Sequence, residues 1–334
     1  MQRQLRYLDF MKFTVYPVIV LLSLLQAPVF AAGAAGYHLY VARFSDGDIT
    51  VIDSATHKAI GKIVMGFGSN PAEVIQSPDK KLLYVSNRGL DEIAVIDVKS
   101  GKVTARIKTG IHPNFTKITP DGRYLVVANN QDNHATVIDL STNAAVGRPS
   151  EGLGASGVAI TDDSRYAYIT SIYDDDISVI DLGNMERVRI VKVRGAMAIV
   201  IPHGSRFAYL CSNRNSISVL DISANEVVGS IPVGDTPNYI TLSSDGARAF
   251  VTNAMSNTLS VIDLAKRAVI KEIAVGREPT SSALSPDGKY LFVNNHSDGG
   301  TDGSISVIDV NSLTEIERFK FVRNPRALAV LPAK

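Results

Sequence analysis

The sequence contains no tryptophan and only one cysteine, Cys211. The absence of tryptophan argues against repeat proteins whose units each carry a Trp-Asp pair. A single cysteine cannot form an intramolecular disulfide, so the fold must depend on its core. We expect Cys211, which lies in a predicted strand, to be a small buried apolar residue.

No charge of either sign dominates the chain. Its 34 basic and 33 acidic residues give a net charge of +1. Nucleic-acid binding normally needs a clustered basic face, so we expect no nucleic-acid partner. The G-x-S-x-G, H-E-x-x-H and phosphate-loop motifs are also absent from the sequence.

A long apolar run occurs only near the N-terminus. Arg3, Arg6 and Lys12 precede the apolar stretch 13–25, and small residues follow it. The stretch is shorter than the roughly 20 residues of a membrane span and is typical of a secretory signal. We predict a signal peptide over 1–34, with Met11 as an alternative start, and a single domain over 35–334. The protein would then be periplasmic or secreted, without other membrane contact; an uncleaved anchor is the alternative.

Seven copies of one pattern fill the rest of the chain. Each copy has an apolar run resembling YVSN and then a second run resembling VID. The runs end in an aspartate at gaps of 44, 42, 42, 40, 42 and 46 residues, at Asp53, Asp97, Asp139, Asp181, Asp221, Asp263 and Asp309. Short β-type runs at a period in the low forties predict an all-β, seven-bladed β-propeller.

The second repeat shows how one blade is built. Its β-type runs at 72–76, 82–86, 93–97 and 103–107 are separated by turn residues such as Ser-Pro-Asp at 77–79. This order predicts four antiparallel strands, a to d, joined by hairpins. The first repeat has no strand a, whereas 327–331 is an isolated one. We therefore predict that the C-terminal strand pairs with the N-terminal blade and closes the ring, which removes free sheet edges.

The motifs LYVSN…AVID, AFVTN…SVID and LFVNN…SVID, with SPDGKY hairpins, resemble the YVTN-type β-propeller repeat proteins. The resemblance covers essentially all of the chain after the signal segment. Repeats four and five depart from it, with SIYDDD and GAMAIVIPHGSRF in place of the usual loop and joint. The resemblance implies an exported propeller. Its relatives by fold include haem-binding propellers of nitrite reductases, propellers associated with quinone-dependent alcohol oxidation, and propeller lactonases.

The most repeated polar residues are predicted to be structural. An aspartate at the start of a hairpin turn can accept backbone N–H bonds, and the asparagine of the YVSN position would bond at a strand end. The joints between blades and the b–c loops vary more, and variable loops on a rigid scaffold are where binding is usually found. We therefore expect the site on the face that carries the d–a joints and b–c loops, called the joint face below.

Alignment of the repeats places equivalent residues around this face. The position before the joint proline reads Asn70, His112, Gly154, Gly195, Thr236, Glu278 and Asn324. Small residues in repeats four and five are expected to leave room at one side of the channel mouth. The candidate ligand-binding residues are Asn70, Glu73, Arg88, His112, Asn114, His134, Tyr173, Arg214, Asn238, Tyr239 and His296.

Histidines and acidic loops raise two further hypotheses. His112, His134 or His296 could supply an axial haem ligand, although no C-x-x-C-H motif is present. The acidic loops around 174–176 and 298–302 do not match the EF-hand spacing and are weak candidates for Ca²⁺. We assign no catalytic or metal-binding residue, and the cofactor stays open.

The sequence favours a monomeric binding or scaffold protein that holds a periplasmic protein or a small ligand on the joint face. We expect it to be a binding protein rather than an enzyme. One alternative is a lactonase-type hydrolase that uses metal-activated water, with Glu73, His112 and Asn238 as candidates. The other is a periplasmic carrier related to haem or quinone. The fold alone does not choose between them.

Overall fold

Each repeat folds into one four-stranded antiparallel sheet, and seven such sheets form the blades of a β-propeller. The computed structural model describes residues 36–212, 215–297, 303–321 and 324–333. No helix long and apolar enough to cross a membrane occurs in these ranges. The predicted fold class is therefore confirmed; the predicted signal peptide lies outside the described residues.

The first three blades are β28-β1-β2-β3, β4 to β7 and β8 to β11. Their strands, in chain order, are Tyr37–Arg43, Asp48–Asp53, Lys58–Val64, Pro71–Gln76, Leu82–Asn87, Glu92–Asp97, Lys102–Lys108, Pro113–Ile118, Tyr124–Asn129, Thr136–Asp139 and Ala144–Gly147 for β1 to β11, with Pro325–Pro332 as β28.

The other four blades are β12 to β15, β16 to β19, β20 to β23 and β24 to β27. Their strands are Ala155–Ile160, Tyr166–Ser171, Asp176–Asp181, Glu186–Lys192, Ile199–Val200, Phe207–Ser212, Ser216–Asp221, Glu226–Pro232, Pro237–Leu242, Arg248–Asn253, Thr258–Asp263, Ala268–Ala274, Arg277–Leu284, Tyr290–Ser297, Gly303–Asp309 and Thr314–Phe321.

Burial follows the position of a strand within its blade. Strands b and c, such as β5 and β6, are almost continuously buried, whereas the outer strand β7 is largely exposed. The central strands read as continuous apolar runs because neighbouring blades cover both faces of each sheet. Cys211 lies on one of these strands, β17, and is fully buried, as the sequence predicts.

The recurring aspartates and asparagines have the predicted structural roles. Asp53 Oδ1 accepts hydrogen bonds from the backbone N–H groups of Ala55 (3.1 Å) and Thr56 (2.7 Å) in the c–d turn. Asn253 Nδ2 donates to the hydroxyls of Thr258 (3.0 Å) and Ser260 (2.7 Å) on the adjacent strand c. These residues recur because every blade needs the same turn and the same strand-end contact.

The ring closes between the two ends of the propeller. β28 pairs antiparallel with β1 from Tyr37↔Pro332 to Arg43↔Pro325. The first blade thus takes its inner strand from the C-terminus, as predicted, and the inner edge of β1 is covered.

The small residues of repeats four and five do not leave room at the channel mouth, which corrects the expectation from sequence. The backbone N–H of Gly157 donates to the Met197 carbonyl at 3.1 Å. A Cβ at position 157 would lie 2.3 Å from that oxygen. Glycine is needed here because the inner segments of blades four and five approach each other directly.

We predict that Gly157→Ala lowers the unfolding free energy by about 2 to 3 kcal/mol, because the new methyl group overpacks against backbone. Gly229→Ala is the matched control, since a Cβ there meets no atom within 4 Å. The control should change the urea midpoint little. Equal midpoints for the two variants would contradict the close-approach argument.

Candidate functional site

The site lies at the joint-face end of a central channel. Strand a of every blade is the terminal strand of its sheet, so its free edge faces the axis of the ring. A cavity of about 470 Å³ on this axis is lined by all seven inner strands, mainly by their halves toward the a–b turns, and its lining includes Tyr239 and Lys117. Its walls combine aliphatic side chains with backbone N–H and C=O groups.

Bulges redirect the side chains at the channel mouth. The pairing of strand a with strand b shifts register directly after the joint in six blades, for example between Pro71 and Glu73 and between Pro237 and Tyr239. A bulge adds an unpaired residue and changes the direction of the side chains beside it. The directions of the side chains at these bulges therefore cannot be predicted from the alternation of residues in the sequence.

A hydrogen bond crosses this mouth between blades two and six. The Tyr239 hydroxyl donates to Glu73 Oε1 at 3.2 Å, although the two residues are 166 positions apart. Glu73 Oε2 accepts the backbone N–H of Thr116 at 3.3 Å. The Phe115 ring packs on the Tyr239 ring, with centroids 5.7 Å apart. Two sequence candidates, Glu73 and Tyr239, are thus brought together.

Glu73 is only 5% exposed. Burial raises its pKa to about 8, and the charge of Lys117 and the Thr116 and Tyr239 hydrogen bonds oppose that rise. Burial and the neighbouring Glu73 carboxyl raise the pKa of Tyr239 well above its usual value. A carboxyl with a pKa near 8 can donate or accept a proton close to neutral pH.

Two basic residues, Lys117 and Arg326, act on the charge of this carboxyl, and Arg88 lies on the loop of the same blade. Lys117 lines the channel wall on β8. Arg326 on β28 has its pKa lowered by burial and by the charge of Arg88, and raised by the charge of Glu73. Arg88 Nη2 donates to Asn130 Oδ1 at 3.0 Å. The mouth therefore combines one buried acid with three cations.

The seven residues before the joint proline share a backbone role. All have positive φ, at Asn70, His112, Gly154, Gly195, Thr236, Glu278 and Asn324. Left-handed backbone is sterically costly outside glycine and is tolerated best by asparagine and aspartate. The turn geometry of the joints therefore restricts which residue types can occupy these seven positions. The alignment of the repeats does not reveal this restriction.

The candidate histidines are held in separate local contacts. The backbone N–H of His112 donates to Asp91 Oδ1 at 2.8 Å, and its buried Nδ1 has no partner. His134 Nδ1 lies 3.5 Å from Asp132. His296 Nδ1 lies 3.2 Å from Glu278.

The other candidates also have defined positions. The Asn238 Nδ2 donates to the Pro279 carbonyl at 2.9 Å, and its Oδ1 accepts the Thr252 hydroxyl at 2.6 Å. Asn114 is buried, and its carbonyl accepts the Ser86 hydroxyl at 2.8 Å. Tyr173 is 74% exposed, and Arg214 lies outside the described residues.

The acidic loop at 174–176 uses its carboxylates separately. Asp174 accepts the Leu153 N–H at 2.7 Å, Asp175 accepts the Gly195 N–H at 2.8 Å, and Asp176 pairs with a lysine. Across the described ranges, no three His, Cys, Asp or Glu side chains are grouped so that they could hold a metal ion. The second acidic loop, around Asp298 and Asp302, lies outside those ranges.

Sequence reasoning did not select Phe115, Thr116, Lys117 or Arg326 as site residues. Phe115 and Arg326 follow the joint prolines at 113 and 325, but the sequence does not show which residues face them across the channel. Only the curvature of the ring shows that β4, β8, β20 and β28 contribute to one cluster.

Two family models match parts of the chain. A seven-bladed β-propeller lactonase model matches residues 37–151, and a YNCE-like β-propeller model matches residues 136–287. Each match spans less than half of the 334 residues. With the seven observed blades, they define this chain as a β-propeller protein.

Solved structures with the same fold include three proteins named as enzymes. The periplasmic gluconolactonase of Pseudomonas aeruginosa has a TM-score of 0.73 and 19% identity, covering 90% of this chain and 100% of its own. Hydrazine synthase of Kuenenia stuttgartiensis has a TM-score of 0.68 and 19% sequence identity, and the match covers 80% of this chain and 97% of its own. A dihydro-heme d1 dehydrogenase has a TM-score of 0.62 and 18% sequence identity, and the match covers 92% of this chain and 78% of its own.

At these identities the likeness shows the fold alone. No curated protein sequence matches the chain significantly. The function must therefore be argued from the geometry of the site.

We predict that the stability of the protein decreases as the pH rises from about 4.5 to about 8 and levels off above that. Glu73 has a folded pKa raised above its ordinary 4.5. Its stabilising contribution is complete below that ordinary value and is lost progressively up to the folded pKa, because over this range the carboxyl is ionised in the unfolded chain and still protonated in the folded one. The loss should be roughly 5 kcal/mol, since the two pKa values lie about 3.5 units apart and one pKa unit corresponds to about 1.4 kcal/mol.

Urea unfolding from pH 5 to pH 9 measures this effect. Glu73→Gln should remove most of the decline, whereas Glu226→Gln, at an exposed residue of β19, should keep it. A wild-type slope that persists in Glu73→Gln would show that another group is responsible.

Proposed function

We propose that this protein binds a small polar ligand in the joint-face mouth of its channel. The observation that carries the proposal is the Glu73–Tyr239 hydrogen bond, which spans the channel between blades two and six. The acid, the phenol and the adjacent cations offer several directed contacts, and the Tyr239 side chain also lines the central cavity. Binding sites of this kind combine a concave shape with a few convergent polar groups.

A scaffold role for a partner protein has less support in the geometry. The exposed aromatic side chain of Tyr173 lies on the joint face, where a protein could contact it. The buried acid with a shifted pKa is a feature of small-ligand sites rather than of flat docking surfaces. We therefore favour the small ligand over the protein partner.

The proposal also includes the class and location of the protein. We infer a YVTN-type repeat protein that is exported to the periplasm or secreted. The repeat motifs and the basic and apolar N-terminal pattern support this, and one protein of similar fold is named a periplasmic gluconolactonase. Amino-terminal sequencing of the exported protein should find Ala32 or Ala35 first; a start at Met1 or Met11 would contradict cleavage.

D-Gluconate and glucono-delta-lactone are suitable probes, and isothermal titration calorimetry measures their binding. We expect at least one to bind, and Tyr239→Phe to weaken it about three- to tenfold through loss of a hydrogen bond. Tyr173→Ser is the control and should bind as the wild type does. The proposal fails if neither probe binds, or if the two variants lose affinity equally.

A lactone hydrolase is the second candidate function. The lactonase model covers the segment that contains Glu73, and the raised pKa of Glu73 suits proton transfer near neutral pH. If the protein is a hydrolase, Glu73→Gln should slow ring opening of glucono-delta-lactone by at least about 100-fold. Acid release in a pH-stat measures this rate; equal rates with and without wild-type protein would exclude the activity for this lactone.

A further inference from the structure

A groove between blades five and six lies on the face of the ring opposite to the mouth. This face carries the a–b and c–d turns and is called the turn face below. We propose that the groove binds a small aromatic carboxylate, whose negative group contacts the guanidinium of Arg267. The inference goes beyond the proposed function, because it concerns a second site formed by other residues.

The groove has a volume of about 620 Å³, which is within the range of small-ligand sites. Blade five supplies one wall through Phe207, Tyr209 and the a–b turn at 202–205. Blade six supplies the other wall through its own turns, which include Ala247 and Arg267. Aromatic rings and a guanidinium thus face one concave space.

The Arg267 cation is held against an aromatic ring. Its guanidinium carbon lies 4.2 Å from the centre of the Phe207 ring, and this stacking orients the guanidinium plane. Among the described residues, Asp263 pairs with Lys266 at 3.0 Å, and Arg267 forms no ion pair. Arg267 is also exposed, so its second face and its N–H groups are available to a bound molecule.

The equivalent groove between blades four and five uses its polar groups within the protein. Asn225 stands there in the place of Arg267, and its Oδ1 accepts the Tyr168 hydroxyl at 3.2 Å. Arg206 lines that groove, and its Nε donates to Asp221 Oδ2 at 2.9 Å. The two grooves are similar in shape but differ in chemistry, because only one of them presents an unpaired guanidinium.

The residue before strand b marks where blade six departs from its repeat. Its carbonyl accepts the N–H that follows the recurring aspartate, so the positions are equivalent in blades two to seven. In blades four and five an arginine at this position pairs with that aspartate. Blade six has alanine where the other five have a basic residue, and the six residues are Lys81, Arg123, Arg165, Arg206, Ala247 and Lys289.

The a–b turn of blade five departs from the repeat on the other wall. In the other five a–b turns a Ser or Thr hydroxyl donates to the turn aspartate, as Ser243 does to Asp245 at 2.5 Å. Blade five has Pro202 and Gly204 at these places. The Gly204 N–H donates instead to Asp162 Oδ2 of blade four at 2.5 Å. The turn is therefore anchored to blade four, and its side toward blade six is left to the groove.

The backbone does not explain why arginine occupies position 267. This residue of the c–d turn has a left-handed conformation, with φ of 51°. Asparagine tolerates that conformation best, and Asn143 and Asn225 hold the same position in blades three and five. Arginine gains nothing from the turn, which leaves the contacts of its side chain as the reason for its presence.

These groups favour a flat ring that carries one negative charge. A guanidinium binds a carboxylate through paired N–H donors and stacks on aromatic faces. Phe207 covers one face of Arg267, and a ligand ring can lie against the other. Arg248 also lines the groove, but its Nη1 donates to the Val310 carbonyl of blade seven at 3.0 Å. One available guanidinium matches one carboxylate.

Benzoate is the probe, and ligand-observed NMR titration at pH 7 measures its affinity. We expect benzoate to bind the wild type and Arg267→Asn to weaken binding about 10- to 100-fold, through loss of charge-assisted hydrogen bonds. The variant installs the residue that blades three and five carry, so the turn should fold as before. Arg165→Gln removes an exposed arginine of the turn face in blade four and should leave the affinity unchanged.

Two further probes separate charge from aromaticity. Cyclohexanecarboxylate keeps the charge without the aromatic ring and should bind about two- to fivefold more weakly than benzoate. Benzyl alcohol keeps the ring without the charge and should bind at least about tenfold more weakly. The inference is wrong if benzoate does not bind, if Arg267→Asn binds it as the wild type does, or if all three probes bind equally.

The test is independent of the proposed function, because Tyr239 and Arg267 lie on opposite faces of the ring. Tyr239→Phe should therefore leave benzoate binding unchanged. Binding that is lost in Tyr239→Phe and kept in Arg267→Asn would place the aromatic carboxylate in the mouth and overturn this inference, while the small-ligand proposal would stand.

Discussion

The fold and the site both depend on the closure of the ring by β28. Its backbone pairs with β1, and its side chains pack between the first, second and seventh blades. Without this pairing, two sheet edges would be open and the seven inner strands would not face one axis. The same strand carries Arg326 into the mouth, so closure and the composition of the site are coupled.

The mouth combines features that stability alone would not select. A buried carboxyl without an ionised partner is costly, and cations near one another repel. Several other acids and bases of the joint face pair locally, as Lys192 and Asp176 do. Departures of this kind are expected at functional sites rather than in a scaffold, which is why the argument for function rests on the mouth.

Much of the candidate site could be named from the sequence, but only part of its geometry. Glu73, Tyr239 and Arg88 were identified because they differ between otherwise similar repeats. His112 and Asn70 were identified by the same reasoning, but both have a left-handed backbone conformation in their joints. The turn therefore also restricts which residues can stand there. The small residues of repeats four and five predict space at the mouth, whereas the structure shows close contact between two backbones at Gly157.

The number of blades, the four-stranded plan of each blade, the turn residues and the exchanged closing strand can all be predicted from the amino-acid sequence. These features follow from local periodicity and turn chemistry, which repeat at a fixed spacing and need no long-range information. The contact between Glu73 and Tyr239 across the channel becomes visible in the folded ring alone. Such contacts depend on the curvature of the closed ring and on the bulges that redirect side chains, and neither is encoded in the spacing of residues within one repeat.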